Sequence, residues 1–137
     1  MYELSNVSIV IVSFNSEEKL FELFPSIPES CELIIVNNAL NSLPLELKKS
    51  RDFIEIHNSE NKGFGTACNI GVNKASKDFI FLLNPDTFLK DHCLENLLKV
   101  CKDFPNASAF TPKITNKKNK EDFKRRSILL DRGQWLK

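Results

Sequence analysis

Four short apolar runs, spaced along the chain, most strongly limit the fold that this sequence can form. Residues 7–12 (VSIVIV) and 32–36 (ELIIV) are almost continuously apolar and rich in β-branched side chains, which is typical of strands covered on both faces. Residues 53–57 (FIEIH) alternate with a period of two, as in a strand nearer an edge. Residues 78–83 (DFIFLL) form another buried strand. The runs therefore predict four strands of one sheet.

Segments with helical periodicity lie between and after these runs. They are residues 17–24 with Ser16 as N-cap, 43–49, 64–75 and 91–101, and a fifth strand is expected at 107–110. Strands that alternate with helices at this spacing form βαβ units with a parallel sheet. We therefore predict an α/β fold of three layers, α/β/α, with a mainly parallel sheet.

Length and composition exclude several classes of protein. The chain has 137 residues, the size of one domain, and its net charge of +1 gives no sign of a nucleic-acid partner. No apolar run approaches the roughly 20 residues that span a bilayer, and the first residues do not resemble a signal peptide. We expect a cytoplasmic protein. The four cysteines have no zinc-site spacing, so most should be buried, reduced thiols.

The last part of the chain differs in composition from the rest. Residues 116–126 (NKKNKEDFKRR) are highly charged and have no apolar period, which favours a solvated segment over a phosphate-binding or membrane-binding one. Trp135 stands near the end of the sequence, where an exposed aromatic side chain is unusual for a finished domain. We therefore divide the chain into a core at 1–114 and a polar, basic tail at 115–137.

Polar residues follow each predicted strand where it ends. They are Ser13 and Asn15, then Asn37 and Asn38, then the glycine turn at 61–65, then Asn84 and Asp86. Because ligands of parallel α/β sheets bind at the carboxyl ends of the strands, these residues predict a site for a phosphorylated ligand. The alternative is a set of polar caps on core strands.

Asp86 is the candidate metal ligand of this site. A divalent cation bound to a diphosphate needs one or two protein oxygens, since phosphate and water supply the others. Asp86 offers a carboxylate and Asn84 a neutral carbonyl. The alternative is that Asp86 caps the turn before the next helix.

The glycine turn has two further explanations. Gly63-Phe64-Gly65 follows a strand and opens a helix, as in a dinucleotide-binding fingerprint, with Asp86 at about the expected distance. However, Cys68 stands where that fingerprint needs its third glycine. Gly65 and Gly71 are also explained by close packing of the helix on the sheet. A Rossmann-type dinucleotide binder therefore stays a minor alternative.

The motifs in this order resemble the family-2 glycosyltransferases, which have the GT-A fold with its Rossmann-like nucleotide-binding half. The resemblance covers residues 7–114, most of the chain. The motifs are VSIVIVSFN at 7–15, LIIVNNA at 33–39, NKGFGTACNIG at 61–71 and LLNPDT at 82–87. The last two are similar to the subgroup that includes rhamnosyltransferase-like enzymes of bacterial surface-polysaccharide assembly.

The resemblance implies a role for each matching residue. Ser13, Asn15 and Asn37 would line the base and ribose pocket, and Lys62 and Gly63 would lie near the nucleotide-sugar. Asn38, Asn69 and Asn84 complete the implied nucleotide-sugar-binding set, and Asp86 would bind Mg²⁺ or Mn²⁺. The implied donor is a UDP- or dTDP-linked sugar and the implied acceptor a glycan or a lipid-linked molecule. Peripheral contact with the inner face of the cell membrane, a partner chain and an oligomer are left open.

Three departures from the family pattern bear on activity. Asn37 replaces the usual aspartate, and Leu40 replaces a small polar residue. The family's general base and acceptor-binding region would lie beyond this chain, which therefore looks truncated, and neither Asp122 nor Asp131 is a good substitute for that base. The leading hypothesis is the donor-binding portion of a glycosyltransferase. The alternative is a non-catalytic domain that binds a nucleotide-sugar or a partner protein.

Overall fold

The computed structural model describes residues 2–116, 118, 120 and 128–131. The helices are α1 (Glu17–Leu23), α2 (Leu45–Ser50), α3 (Phe64–Lys74) and α4 (Cys93–Asp103). The strands are β1 (Val7–Ser13), β2 (Glu32–Asn37), β3 (Ile54–His57), β4 (Phe79–Leu83), β5 (Ala109–Phe110) and β6 (Ile128–Asp131). Short 3-10 helices cover Leu4–Asn6 and Phe24–Ser26.

The strands form one mixed, mostly parallel sheet in the order β3-β2-β1-β4-β6-β5. β1 lies between β2 and β4 and is parallel to both, while β3 is the edge strand that its alternating sequence predicts. The predicted α/β fold with a mainly parallel sheet is therefore confirmed. β6 is antiparallel to β4 and β5, and it was not predicted.

The sheet extends past the predicted core boundary at residue 114. Ile128–Asp131 lies in the segment that we assigned to the tail, yet it pairs with β4 through its full length. Leu129 in this strand is fully buried. Lys118 and Lys120 are exposed, whereas Asp122, Trp135 and the basic residues at 117 and 124–126 lie outside the described residues.

Helices cover both faces of the sheet. On one face, apolar side chains of α1, α2 and α4 pack against Ile9, Ile11 and Phe81. On the other face, Ala67 and Cys68 of α3 pack against alternate residues of β1 and β2, such as Val10 and Ile34. This arrangement explains why β1 is buried along its whole length and gives the predicted α/β/α layers.

Helix α4 begins two residues later than its periodicity predicts. His92 has a left-handed backbone with φ 60°, which ends any continuation of the helix toward Asp91. At α1, Ser16 occupies the N-cap position as predicted, but its hydroxyl donates to Phe14 O (3.0 Å) instead of capping the helix.

All four cysteines are free, as expected. Cys31, Cys68 and Cys101 are buried and Cys93 is half-buried. Burial raises the pKa of the Cys31 and Cys101 thiols to about 11 and also raises the pKa of Cys68 and Cys93. These thiols are therefore poor nucleophiles at neutral pH.

Candidate functional site

The carboxyl ends of β2, β1 and β4 meet at one edge of the sheet. Ser13 pairs with Asn37 in the register of β1 and β2, and Ile11 pairs with Leu83 in that of β1 and β4. The turn that follows Leu83 therefore starts alongside the last residues of β1. The polar residues that follow the three strands come together at this edge.

Ser13 lies at the centre of this edge. Its side chain is fully buried, and its Oγ has no hydrogen-bond partner among the described residues. Its carbonyl accepts a hydrogen bond from Asn38 N–H (2.8 Å), which joins β1 to the loop after β2. A buried hydroxyl without a partner costs free energy, so such a group is typical of a place where a ligand or water binds.

Asn38 ties this edge to the glycine turn. Its Nδ2 donates to Asn61 Oδ1 (3.3 Å) and Gly63 O (3.4 Å), and its Oδ1 accepts a hydrogen bond from Asn58 Nδ2 (2.7 Å). Asn61 Oδ1 in turn accepts from Gly63 N–H (2.9 Å). The chain of amide groups holds the start of α3 against the ends of β2 and β3.

Asn37 organises the loop between β2 and α2. Its Oδ1 accepts from Ala39 N–H (3.0 Å), and its Nδ2 donates to Asn41 O (2.9 Å) and to Glu55 Oε1 (3.3 Å). The side chain is fully buried, and both its amide nitrogen and its amide oxygen are hydrogen-bonded within the protein.

Glu55 of β3 stays ionised beside this loop. Burial by itself would raise the pKa of the carboxyl, but hydrogen bonds from Lys48, Leu43 N–H and Asn37 outweigh it, so the pKa is lowered. Lys48 Nζ lies 2.7 Å from Glu55 Oε2. A negative charge therefore sits under the loop between β2 and α2.

The glycine turn requires a glycine at residue 63, immediately before α3. Gly63 has φ 80° and ψ 157°, a backbone that side chains of L-residues rarely adopt, and it is the N-cap of α3. The first N–H groups of a helix have no partner inside the helix, so the start of α3 favours anionic groups. Lys62 adds a cation here, at 3.9 Å from Glu60.

Asn84 and Asp86 lie in a tight turn after β4. Asn84 O accepts hydrogen bonds from Thr87 N–H (3.3 Å) and Thr87 Oγ1 (2.7 Å), with Pro85 and Asp86 between them. Asp86 is half-buried. The turn holds the carboxylate close to the end of β4, where the sequence predicts it.

Two predicted site residues lie at the margin of this group. Asn15 is exposed, has φ 49° and lines a small cavity of about 250 Å³ at the start of α1. Asn69 is exposed on α3. A separate groove of about 570 Å³ lies between the residues before β2 and the start of α4, and its lining includes Phe88 and His92 but none of the predicted site residues.

Two residues that contribute to the site were not among those predicted. Asn58 follows β3 directly, so the rule that found the other strand ends also applied to it. Glu55 is a carboxylate within an otherwise apolar strand, which is an unusual place for an acid. Its role could not be read from the sequence because its partners come from other segments.

Among the described residues, no three potential metal-ligating side chains of His, Cys, Asp or Glu lie together. In the same part of the chain, no helix is long and apolar enough to cross a membrane.

Sequence comparison places the chain among known proteins. The model of the family "Glycosyl transferase family 2" matches residues 8–136. Poly-beta-1,6-N-acetyl-D-glucosamine synthase of Staphylococcus aureus is 28% identical over 125 residues, which cover 84% of this chain and 30% of that protein. The corresponding enzyme of Staphylococcus epidermidis is 27% identical over 126 residues, with the same coverage. The chain thus spans about a third of the length of these relatives.

Solved structures show the same fold. A mannosyltransferase from Pyrobaculum calidifontis, in complex with GDP-Man and Mn²⁺, matches with a TM-score of 0.75 at 14% identity. The match covers 93% of this chain and 45% of that one. TarS of Staphylococcus aureus in complex with UDP-GlcNAc has a TM-score of 0.66 at 15% identity, over 80% of this chain and 40% of that one. The chain has the fold of these glycosyltransferases and belongs to glycosyl transferase family 2.

Proposed function

We propose that the carboxyl edge of the sheet binds the nucleotide part of a nucleotide-sugar, and that the chain is the donor-binding portion of a glycosyltransferase. The observation that carries the proposal is the buried hydroxyl of Ser13, which has no hydrogen-bond partner among the described residues and lies where β1, β2 and β4 end. Family membership supports it, as do the UDP-GlcNAc and GDP-Man in the structures of TarS and the mannosyltransferase. The rhamnosyltransferase-like subgroup stays a prediction.

The nucleoside is proposed to bind between the ends of β1 and β2. Asn15 would contact it directly, Ser13 would lie beneath it at the floor of the pocket, and the exposed ring of Phe14 offers an aromatic face for a base. Asn37 and Asn38 would form the wall of the pocket. Since their side chains are already hydrogen-bonded within the protein, their first role is to hold the wall in place.

The diphosphate is proposed to bind near the start of α3. The helix terminus, Lys62 and the exposed backbone at Gly63 favour a negative charge there. Asn69 and Asn84 are proposed to complete the set of nucleotide-sugar contacts. A UDP- or dTDP-linked sugar is the proposed donor.

Asp86 is proposed to hold a divalent cation, Mg²⁺ or Mn²⁺, together with Asn84. One carboxylate and one amide oxygen fit a hard cation whose other ligands are phosphate and water. The mannosyltransferase with a similar fold was solved with Mn²⁺, which supports this assignment. When bound, the cation would neutralise the charge of the diphosphate leaving group.

Sugar transfer to a glycan or lipid-linked acceptor is proposed for the full enzyme, in which a base must deprotonate the acceptor hydroxyl. Asp131 does not fit that role, because it pairs with Phe79 at the amino end of β4, opposite to Asp86. The second candidate function is a domain that binds the donor without transferring it, and Asn37, in place of the family's usual aspartate, favours it. Transfer or donor hydrolysis by the 137-residue chain would argue against this second candidate.

The cellular setting is also a proposal. We propose a cytoplasmic protein whose lipid-linked acceptor would bring it to the inner face of the membrane. Exposed apolar side chains follow β2 and β4 at Leu40 and Phe88. We propose that they contact the acceptor-binding polypeptide or a partner chain at this edge. A monomeric solution profile with no self-association would count against an oligomer.

The test is the melting temperature of the chain with UDP, dTDP, GDP and NAD, each with and without Mn²⁺. A ligand that binds only the native state raises the melting temperature according to its occupancy. We expect a metal-dependent increase with one nucleoside diphosphate. An increase with NAD alone would favour the dinucleotide-binding alternative, and no increase with any ligand would contradict donor binding.

A further inference from the structure

The loop between β2 and α2 is held at both of its ends by one carboxylate oxygen. Glu55 Oε1 accepts a hydrogen bond from Asn37 Nδ2 (3.3 Å), at the end of β2, and one from Leu43 N–H (3.2 Å), just before α2. Both donors and the acceptor are at least half-buried. The two bonds therefore set the distance between the ends of the loop at residues 38–42.

The same loop forms one wall of the proposed donor site. Its first residue, Asn38, donates its N–H to Ser13 O and joins Asn61 and Gly63 through its side chain. Its tip carries Leu40, which is 78% exposed. A shift of the loop would therefore move the surroundings of Ser13 and the start of α3 together.

We propose that Glu55 is a positioning residue for donor binding, which holds the loop at 38–42 in the conformation that accepts the nucleotide. The inference rests on the proposed function. Glu55 acts through Asn37 and Leu43 and has no contact of its own with the ligand in this proposal. Asn37 fits this arrangement because its amide donates a hydrogen bond to Glu55, whereas a carboxylate at residue 37 would repel the carboxylate of Glu55.

Positioning of the loop requires the acceptor oxygen of residue 55 and not its charge. Glu55→Gln keeps a carbonyl oxygen for Asn37 and Leu43 and weakens only the contact with Lys48, whose side chain is 39% exposed. Glu55→Ala removes the acceptor from both donors. The two variants thus separate loop positioning from electrostatics.

Glu32 provides a matched control at the opposite edge of the sheet. Its carboxylate accepts hydrogen bonds from Ser8 Oγ, Ser76 N–H and Ser76 Oγ, at the start of β2. Glu32→Ala therefore removes a comparable set of bonds far along the strand from the loop. It should reduce stability without a change in donor affinity.

The experiment is a calorimetric titration of the parent chain and the variants with the nucleoside diphosphate that stabilises the parent most, in the presence of Mn²⁺. We expect binding about tenfold weaker for Glu55→Ala, because binding must then order the loop, and parent-like binding for Glu55→Gln and Glu32→Ala. In the same samples, Leu43 N–H should exchange with solvent faster in Glu55→Ala than in the parent. Glu55→Val, with a better strand-forming side chain, replaces Glu55→Ala if that variant does not unfold cooperatively.

Each contrary result has a distinct meaning. Parent-like affinity of Glu55→Ala overturns this inference and leaves the proposed function standing. Equal losses of affinity in Glu55→Ala and Glu32→Ala overturn it too, because they would report general destabilisation. Equal losses of affinity in Glu55→Ala and Glu55→Gln also overturn it, because they would show that binding depends on the charge of Glu55 and not on its acceptor oxygen. If the parent chain binds no nucleoside diphosphate, the proposed function fails, and this inference fails with it.

Discussion

Gly71 of α3 lies against Val10 of β1 so closely that a Cβ added at residue 71 would be 2.3 Å from Val10 Cγ1 and 3.0 Å from Val36 Cγ2. Both valines are buried in the core. The contact fixes the height of α3 above the sheet, and with it the position of the glycine turn at the site.

We expect Gly71→Ala to destabilise the protein by about 1–3 kcal/mol or more, because buried valines cannot move away without strain. Gly65→Ala is the matched control in the same helix, since nothing lies within 4 Å of its added Cβ. That change should be neutral or stabilising by up to ~1 kcal/mol. Urea unfolding measures both, and equal stabilities would contradict the close packing at Gly71.

The carboxyl of Glu32 should make the fold sensitive to acid. Burial raises its pKa, but the backbone of Ser76, the hydroxyls of Ser8 and Ser76 and the charge of Lys77 outweigh this effect, so the pKa lies below its ordinary value of 4.5. Such a group stabilises the protein above its ordinary pKa, and the contribution is lost as the pH falls through the lowered value.

Glu32→Gln should therefore be less stable than the parent at pH 7, by about 1 kcal/mol. The difference should shrink as the pH falls below 4.5 and through the lowered pKa of the parent carboxyl, where that group becomes protonated. The free energy of unfolding, measured against pH for both proteins, checks this expectation. A constant difference over that range would show that ionisation of Glu32 does not contribute.

Asn37→Asp would place two carboxylates against each other, since Asn37 Nδ2 lies 3.3 Å from Glu55 Oε1. It would also lose the donor to Asn41 O. We expect a loss of at least ~2 kcal/mol at pH 7, with partial recovery at acid pH, because repulsion raises the pKa of one carboxyl and its protonation relieves the contact.

The same substitution in a Glu55→Gln background should cost less, since the second charge is gone. Chemical unfolding of the parent, both single variants and the double variant gives the coupling between residues 37 and 55. Additive losses would contradict a direct contact between the two side chains.

Asp86→Ala should remove the metal-dependent part of donor binding and change stability little, because the residue is half-buried in a surface turn. Asp91→Ala, in the exposed part of the following loop, is the control and should bind like the parent. Calorimetry with and without Mn²⁺ measures both variants. Unchanged affinity of Asp86→Ala in both conditions would refute the metal assignment.

Much of the fold could be predicted from the sequence because each strand and helix has its own local pattern of apolar residues. The apolar runs and the intervening periodic segments located β1 to β4 and all four helices to within a few residues. β6 was missed because only four residues, Ile128–Asp131, form it, and so short an apolar run next to a highly charged segment gives no clear strand pattern.

The candidate site, like the fold, could be predicted only in part from the sequence. The polar strand ends can be recognised in the amino-acid pattern, and the rules for parallel sheets predict that Ser13, Asn37, Asn38 and Asp86 lie at one edge. Which hydrogen bonds these side chains form depends on how the folded chain packs around them. In the structure, Ser13 Oγ is buried without a partner among the described residues, whereas the amides of Asn37 and Asn38 form hydrogen bonds within the protein.

Glu55 shows the physical reason for this limit. Its three hydrogen-bond partners, Asn37, Leu43 and Lys48, come from the end of β2, the following loop and α2. A pattern of hydrophobic and polar residues specifies which face of an element is buried, but not which donors and acceptors meet across elements. Those contacts depend on the packing of the whole chain, so only the structure identifies them.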